Sequence, residues 1–150
     1  MSTDVETLNR ITERIIGCAY RVGSKMGCGF LEKCYKNALA YELQKAGLKA
    51  QREVELKVWY EDVIVGEYFA DIIVEGVVLV ELKSCDSLNP VHSAQCINYL
   101  AATRLPVCLL INFGRRVDVK RIVGPTFNGA PPPSSVPICA PSVAKEPFPR

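Results

Sequence analysis

Between Val63 and Ser84 the chain carries two apolar, β-branched stretches, Val63–Val74 and Val77–Ser84, on either side of Glu75-Gly76, and among the charges set into them are Asp71, Glu81 and Lys83. Such stretches read as two strands of a hairpin. The charges restrict the fold further, because an unpaired buried carboxylate or ammonium costs several kcal/mol or shifts its pKa until it neutralises. Something must compensate them, and a divalent metal is the first candidate.

The register of this hairpin decides whether the charges can meet. If Glu75-Gly76-Val77 is a three-residue connection, cross-strand partners sum to 152, and Asp71 faces Glu81 with Cβ atoms about 4.5–5.5 Å apart. Lys83, two residues on, then projects from the same face. A strict two-residue turn would oppose Asp71 to Val80 and send Glu81 to the other side. Two carboxylates at that separation repel unless a cation lies between them, and hard oxygen donors suit Mg²⁺ or Mn²⁺. The lysine would orient an attacking water or neutralise charge developing on a phosphate.

The rest of the chain frames this hairpin. Val5, Leu8, Ile11, Ile15, Cys18 or Ala19, and Val22 recur at helical spacing, with Thr3 or Asp4 as cap. Met26-Gly27-Cys28-Gly29 breaks that helix, and a second is expected from about Phe30 to Ala46, closed by Gly47. Glu53 to Tyr60 alternates with period two and completes a three-strand meander. Asn89 as cap and Pro90 at the first helical position open a helix to about Thr103. Val107 to Phe113 follows as a buried strand and Val117 to Val123 as an edge strand. The order predicts an α/β fold with a mixed sheet, the last helix crossing over so that Val107–Phe113 pairs parallel with a meander strand.

At 150 residues, with 49% hydrophobic and 23% charged, the chain supports one ordinary core. We expect a domain over residues 1–123 and, from Gly124, a disordered tail interrupted by eight prolines from Pro125 to Pro149. The formal charge of +2 excludes a polycation that coats nucleic acid or anionic membrane, so phosphate binding must be local. No secretory leader and no membrane-spanning run is evident, and a cytoplasmic protein is expected. Seven cysteines, odd in number and without a CxxC pair, read as small hydrophobes rather than a zinc site or disulfide framework.

The spacing of Asp71 with Glu81-Leu82-Lys83 resembles the PD-(D/E)xK nuclease superfamily, the restriction-endonuclease-like fold, whose core order also matches. Two further motifs agree. Gly29-Phe30-Leu31-Glu32-Lys33-Cys34-Tyr35 looks like the signature of the GxxExxY proteins within that superfamily, and Gln95-Cys96-Ile97-Asn98-Tyr99 is similar to the QxxxY helix motif of its RecB and phage-exonuclease branch. Ala70 stands where the superfamily name has proline, a departure many branches share.

The resemblance implies a Mg²⁺- or Mn²⁺-dependent nuclease, with DNA the expected substrate. Asp71, Glu81 and the Leu82 carbonyl would hold the metal, Glu32 would join as a third acid, and Lys83 would position the attacking water. Gln95 and Tyr99 would orient the substrate, and Tyr35 would contact nucleic acid. Each has a plainer reading: Glu32 as a helix-dipole carboxylate, Tyr35 as core, Gln95 and Tyr99 as a half-buried polar stripe. His92 is expected to hydrogen-bond locally. Arg115 and Arg116, with Lys120 and Arg121, form a basic cluster that would anchor phosphates if it borders the site; Lys25, Lys33 and Lys36 would flank the other side. A dimer is compatible with the fold, though no patch specifies one. The competing reading is a non-catalytic interaction module on the same scaffold.

Overall fold

The structure, a computed structural model, describes residues 4–124. The expected proline-rich tail therefore lies outside the described residues, apart from Gly124, whose N–H donates to the Pro106 carbonyl at 2.8 Å. Helices α1 (Val5–Met26) and α2 (Glu32–Lys45) precede a meander of β1 (Ala50–Tyr60), β2 (Val63–Val74) and β3 (Val78–Lys83). Helix α3 (Pro90–Thr103), β4 (Val107–Phe113) and β5 (Val117–Val123) complete the order. The five strands lie in sequence order in one sheet, antiparallel except for β3 and β4, which the α3 crossover makes parallel. The fold is α/β with a mixed sheet, consistent with the restriction-endonuclease-like class.

Two cores form because the sheet is covered on both faces. Leu8, Ile15, Val22, Tyr35, Leu39 and Leu43 of α1 and α2 pack on Ile72, Val80, Leu82, Leu109 and Phe113. Cys96 and Leu100 of α3 pack on Ala70, Ile73, Leu79, Cys108 and Leu110. All seven residues of β4 are buried, which is why Val107–Phe113 reads as a continuous apolar run instead of alternating.

Local chemistry sets the boundaries. The Asp4 carboxylate accepts from the Thr7 N–H at 2.7 Å and caps α1. Asn89 caps α3 by accepting from the Val91 N–H, with Pro90 inside the first turn. Helix α2 begins at Glu32, two residues later than the spacing suggests. Gly29 is left-handed (φ 104) and the Phe30 N–H is held by the Tyr35 hydroxyl, so the chain turns there before it coils.

Strand β1 begins at Ala50, three residues early, because Ala50, Gln51 and Arg52 pair with Val74, Ile73 and Ile72. The polar run Gln51-Arg52-Glu53 hides this pairing, and its cause is an inversion of the sheet. Val54 and Leu56 face α3, as do Tyr68, which stacks on Tyr99, and Ala70; Ala50, Ile72 and Val74 face α1 and α2. Even-numbered residues thus change sides across one rung, Glu53 and Asp71. Glu53 carries that change in its backbone with φ 54, a conformation costly for a non-glycine residue.

Candidate active site

The β2–β3 hairpin has the three-residue connection. Ile72 pairs with Val80, Ile73 with Leu79 and Val74 with Val78, so partners sum to 152. Glu75 (φ 54) and Gly76 (φ 68) are both left-handed, and the Val77 N–H closes the turn on the Val74 carbonyl at 3.1 Å.

The regular ladder ends at Ile72 and Val80, and Asp71 and Glu81 take over where it stops. The Asp71 N–H donates to Glu81 Oε2 at 3.2 Å, and the Leu82 N–H donates to Asp71 Oδ2 at 2.8 Å. Each strand therefore offers a backbone donor to the carboxylate of the other. Asp71 Oδ1 lies 3.6 Å from Lys36 Nζ of α2. The two carboxylates meet at the end of the β2–β3 ladder. Asp71 Oδ1 faces Lys36 of α2, and the charges of both carboxylates reach Tyr99 of α3.

Burial raises the Asp71 carboxyl above its ordinary range, against the Leu82 N–H and the charges of Lys36 and Lys83. Glu81 is pushed up further, first by burial and then by the Asp71 charge. Both side chains nevertheless keep some contact with solvent. Two mutually repelling carboxylates, each with one oxygen tied to a backbone N–H and the other beyond that bond, are a hard donor set that fits a divalent cation.

The other candidate residues divide. Lys83 stands opposite Asn112 in the β3–β4 register and makes no ion pair with either carboxylate, though its charge acts on Asp71, Glu81 and Glu32. Glu32 opens α2 and is raised by partial burial, with Lys83 opposing and Asp71 adding. Among the described residues no three His, Cys, Asp or Glu side chains form a ready-made metal cluster; the Glu32 carboxylate is close enough to Asp71 for the two charges to interact. Tyr99 stacks on Tyr68 at 3.7 Å between ring centres, and burial, then the Glu81 charge, lifts its hydroxyl to about 12. Gln95, one turn earlier on α3, is partly exposed. His92 Nδ1 accepts from the Asn89 N–H at 3.3 Å, the local role expected of it.

Tyr35 is a correction. It is fully buried, stacks on Phe113 at 4.6 Å, and its hydroxyl donates to the Gly27 carbonyl at 2.6 Å while accepting from the Phe30 N–H at 3.3 Å. With its ring and hydroxyl both engaged, it fixes the α1–α2 turn and has no surface to offer nucleic acid. Arg115 and Arg116 are exposed in the β4–β5 turn, lining a groove of about 460 Å³ with Tyr20, Gly23 and Phe113 of the α1 side. They lie at the sheet edge where β3 and β4 end, outside the acid pair.

Sequence reasoning placed Lys36 only as a flanking cation and passed over Glu53 and Arg52. These line a second groove, about 470 Å³, with Lys33 and Asn37, opening beside Asp71. The signal was present in the polar run Gln51-Arg52-Glu53, where alternation is lost.

No helix among the described residues is long and apolar enough to cross a membrane. No curated protein matches the sequence. Among solved structures the chain is similar to one described as "Crystal structure of SSO0001", at 20% identity and a TM-score of 0.48 over 62% of this chain; it spans 50% of that chain. A family model described as the PD-(D/E)XK nuclease superfamily matches residues 9–122, a span that takes in both helices, the meander with Asp71, Glu81 and Lys83, and the crossover to β5. The chain belongs to the PD-(D/E)XK nuclease superfamily.

Proposed function

We propose that this chain is a divalent-metal-dependent nuclease that hydrolyses phosphodiester bonds in DNA, and that it is a GxxExxY-type member of its superfamily. The observation that carries the reading is the Asp71–Glu81 pair, each carboxylate held by a backbone N–H of the opposite strand where the β2–β3 ladder stops. Asp71, Glu81 and the Leu82 carbonyl would hold Mg²⁺ or Mn²⁺. When bound, such an ion supplies positive charge to the scissile phosphate and acidifies the attacking water.

The chain's own groups do the rest. The two backbone N–H bonds fix the carboxylate planes before any ion arrives, so little reorganisation is needed. Lys83, at the end of β3, positions the attacking water and offsets charge on the phosphate. Glu32, whose charge interacts with Lys83 and Asp71, would add an outer or direct ligand as a third acid. Gln95 and Tyr99, one α3 turn apart, orient the substrate, with Tyr99 held by its stack on Tyr68. Water attacks phosphorus in line and expels the 3′ oxygen. Arg115 and Arg116 anchor the backbone farther along the strand, supplying the salt-dependent part of affinity.

The test is incubation of the purified chain with labelled single- and double-stranded DNA and RNA, in Mg²⁺, Mn²⁺ or EDTA, beside Glu81→Ala and Lys83→Ala. Metal-dependent DNA cleavage lost in both variants is expected. Folded protein that cleaves nothing and takes up no Mn²⁺ at millimolar concentration would instead indicate an interaction module. Sedimentation of the chain with and without DNA would determine whether it acts as a homodimer.

A further inference from the structure

The cation in ion-pair distance of the acid pair is supplied by α2, not by the β3 lysine. Lys36 Nζ lies 3.6 Å from Asp71 Oδ1 and 2.5 Å from Glu53 Oε2, and its side chain is only 15% exposed. Glu53 is the left-handed residue at the rung where the sheet inverts, between the Arg52–Ile72 and Val54–Ala70 pairs. That conformation brings the Glu53 carboxylate to an ammonium on a neighbouring helix. Non-glycine residues are kept at positive φ only where surrounding interactions outweigh the strain, and the Lys36 contact is such an interaction.

We propose that Lys36 is a resident counter-ion of the acid pair, competing with a divalent cation for Asp71, and that Glu53 sets the strength of this competition by drawing Lys36 away. The inference rests on the metal-site reading of Asp71 and Glu81. Lys36 has two carboxylate partners and is nearer to Glu53, so it balances part of the Asp71 charge without occupying the site. Burial alone would favour loss of its proton, but the Glu53 hydrogen bond and the Asp71 charge outweigh it and keep the ammonium charged. Glu53 is correspondingly held below the ordinary carboxylate range by Lys36. With a divalent ion present, Lys36 is repelled towards Glu53 and remains in the groove with Lys33 and Arg52, available to a phosphate.

The probe is Mn²⁺ alone, titrated into the full chain without substrate and followed by loss of the free-ion EPR signal. Removing the competing charge in Lys36→Met should tighten Mn²⁺ binding on the order of tenfold. Lys36→Arg keeps the charge and should stay close to the starting affinity. Glu53→Gln releases Lys36 to Asp71 and should weaken binding several-fold. In the Lys36→Met background the same Glu53→Gln change should have less than a twofold effect, because Glu53 would act through the lysine.

Weaker or unchanged binding in a folded Lys36→Met variant would overturn the proposal, as would a Glu53→Gln effect undiminished in the double variant. If Lys36→Met does not fold, Glu53→Gln decides, and unchanged or tighter binding there overturns it. A starting protein that binds no Mn²⁺ removes the metal-site reading and this inference together; one that binds Mn²⁺ but shows the wrong variant pattern removes only this inference.

Discussion

Replacing Glu81 by glutamine should stabilise the fold while removing activity. Glutamine keeps the side-chain oxygen that accepts the Asp71 N–H, so geometry is retained and only the charge is lost. Like charges about 5 Å apart repel by roughly 2–3 kcal/mol at an effective dielectric of about 20–30. The nearby Lys36 charge and the partial solvent contact of both side chains reduce this, leaving an expected gain of about 1–2 kcal/mol at pH 8, or about 3–6 °C in Tm. The gain must depend on pH. Glu81 is raised in the folded state, so above the ordinary value of 4.5 the unfolded chain releases this proton first. Between 4.5 and the raised folded value the native state binds more protons, and the stability of the unaltered protein falls as pH rises. Glutamine does not titrate, so its advantage is absent near pH 4, grows from about 4.5 upward and levels off above the folded value. Thermal melts of both proteins in EDTA from pH 4 to 9 measure this. A variant less stable than the parent at pH 8, or a difference that does not grow with pH, would refute the argument that the pair is a destabilised acid site that Lys36 compensates only in part. Adding Mn²⁺ should reverse the order, because binding energy stabilises only the protein that retains both carboxylates.

Further outcomes follow from the same geometry. Tyr35→Phe should cost about 1–2 kcal/mol in urea unfolding by orphaning the Gly27 carbonyl and Phe30 N–H, with DNA affinity essentially unaltered once the protein is folded. Asn112→Ala should cost about 2–3 kcal/mol, since the buried Asn112 amide both accepts from the Cys85 N–H at 3.0 Å and donates to its carbonyl at 2.9 Å, closing the end of β3 on β4. Gly114→Ala places a Cβ 2.7 Å from the Cys85 backbone oxygen, and chemical denaturation should show a loss of about 1–3 kcal/mol. Arg115→Ala with Arg116→Ala should weaken DNA binding across all sequences and lower the log–log salt slope by about 1 for each phosphate no longer neutralised, read by fluorescence anisotropy between about 50 and 200 mM salt.

Much of the scaffold was legible because its signals are local. Asp4, Asn89 with Pro90, and Gly47 mark helix ends through hydrogen bonds and backbone freedom that depend on a few neighbouring residues. The unbroken apolar run of β4 reports a strand covered on both faces, and Glu75-Gly76 with Val77 set the hairpin register that brings Asp71 to Glu81. What remained hidden depends on contacts far apart in sequence. Periodicity assumes that alternation continues along a strand, so it started β1 after the polar run. The inversion at Glu53 has no sequence signature other than that run. Likewise, the Tyr35 motif position cannot reveal whether a tyrosine points out or stacks on Phe113, 78 residues later.

The interrupted ladder also explains how the fold accommodates two neighbouring carboxylates. In an uninterrupted sheet the N–H groups of Asp71 and Leu82 would each pair with a carbonyl of a neighbouring strand, leaving the side chains to repel each other with no donors. Because the β2–β3 ladder stops at Ile72 and Val80, those two N–H groups are released to the carboxylates instead. A carboxylate that accepts a backbone N–H tolerates burial better than a bare one, but each of these accepts one such bond and both remain raised. The arrangement is thus stabilised enough to fold and left with an unmet demand for positive charge. An ordinary ladder would remove the donors, and a fuller set of donors would remove the demand, so the interruption of the sheet is what makes this pair suited to a cation.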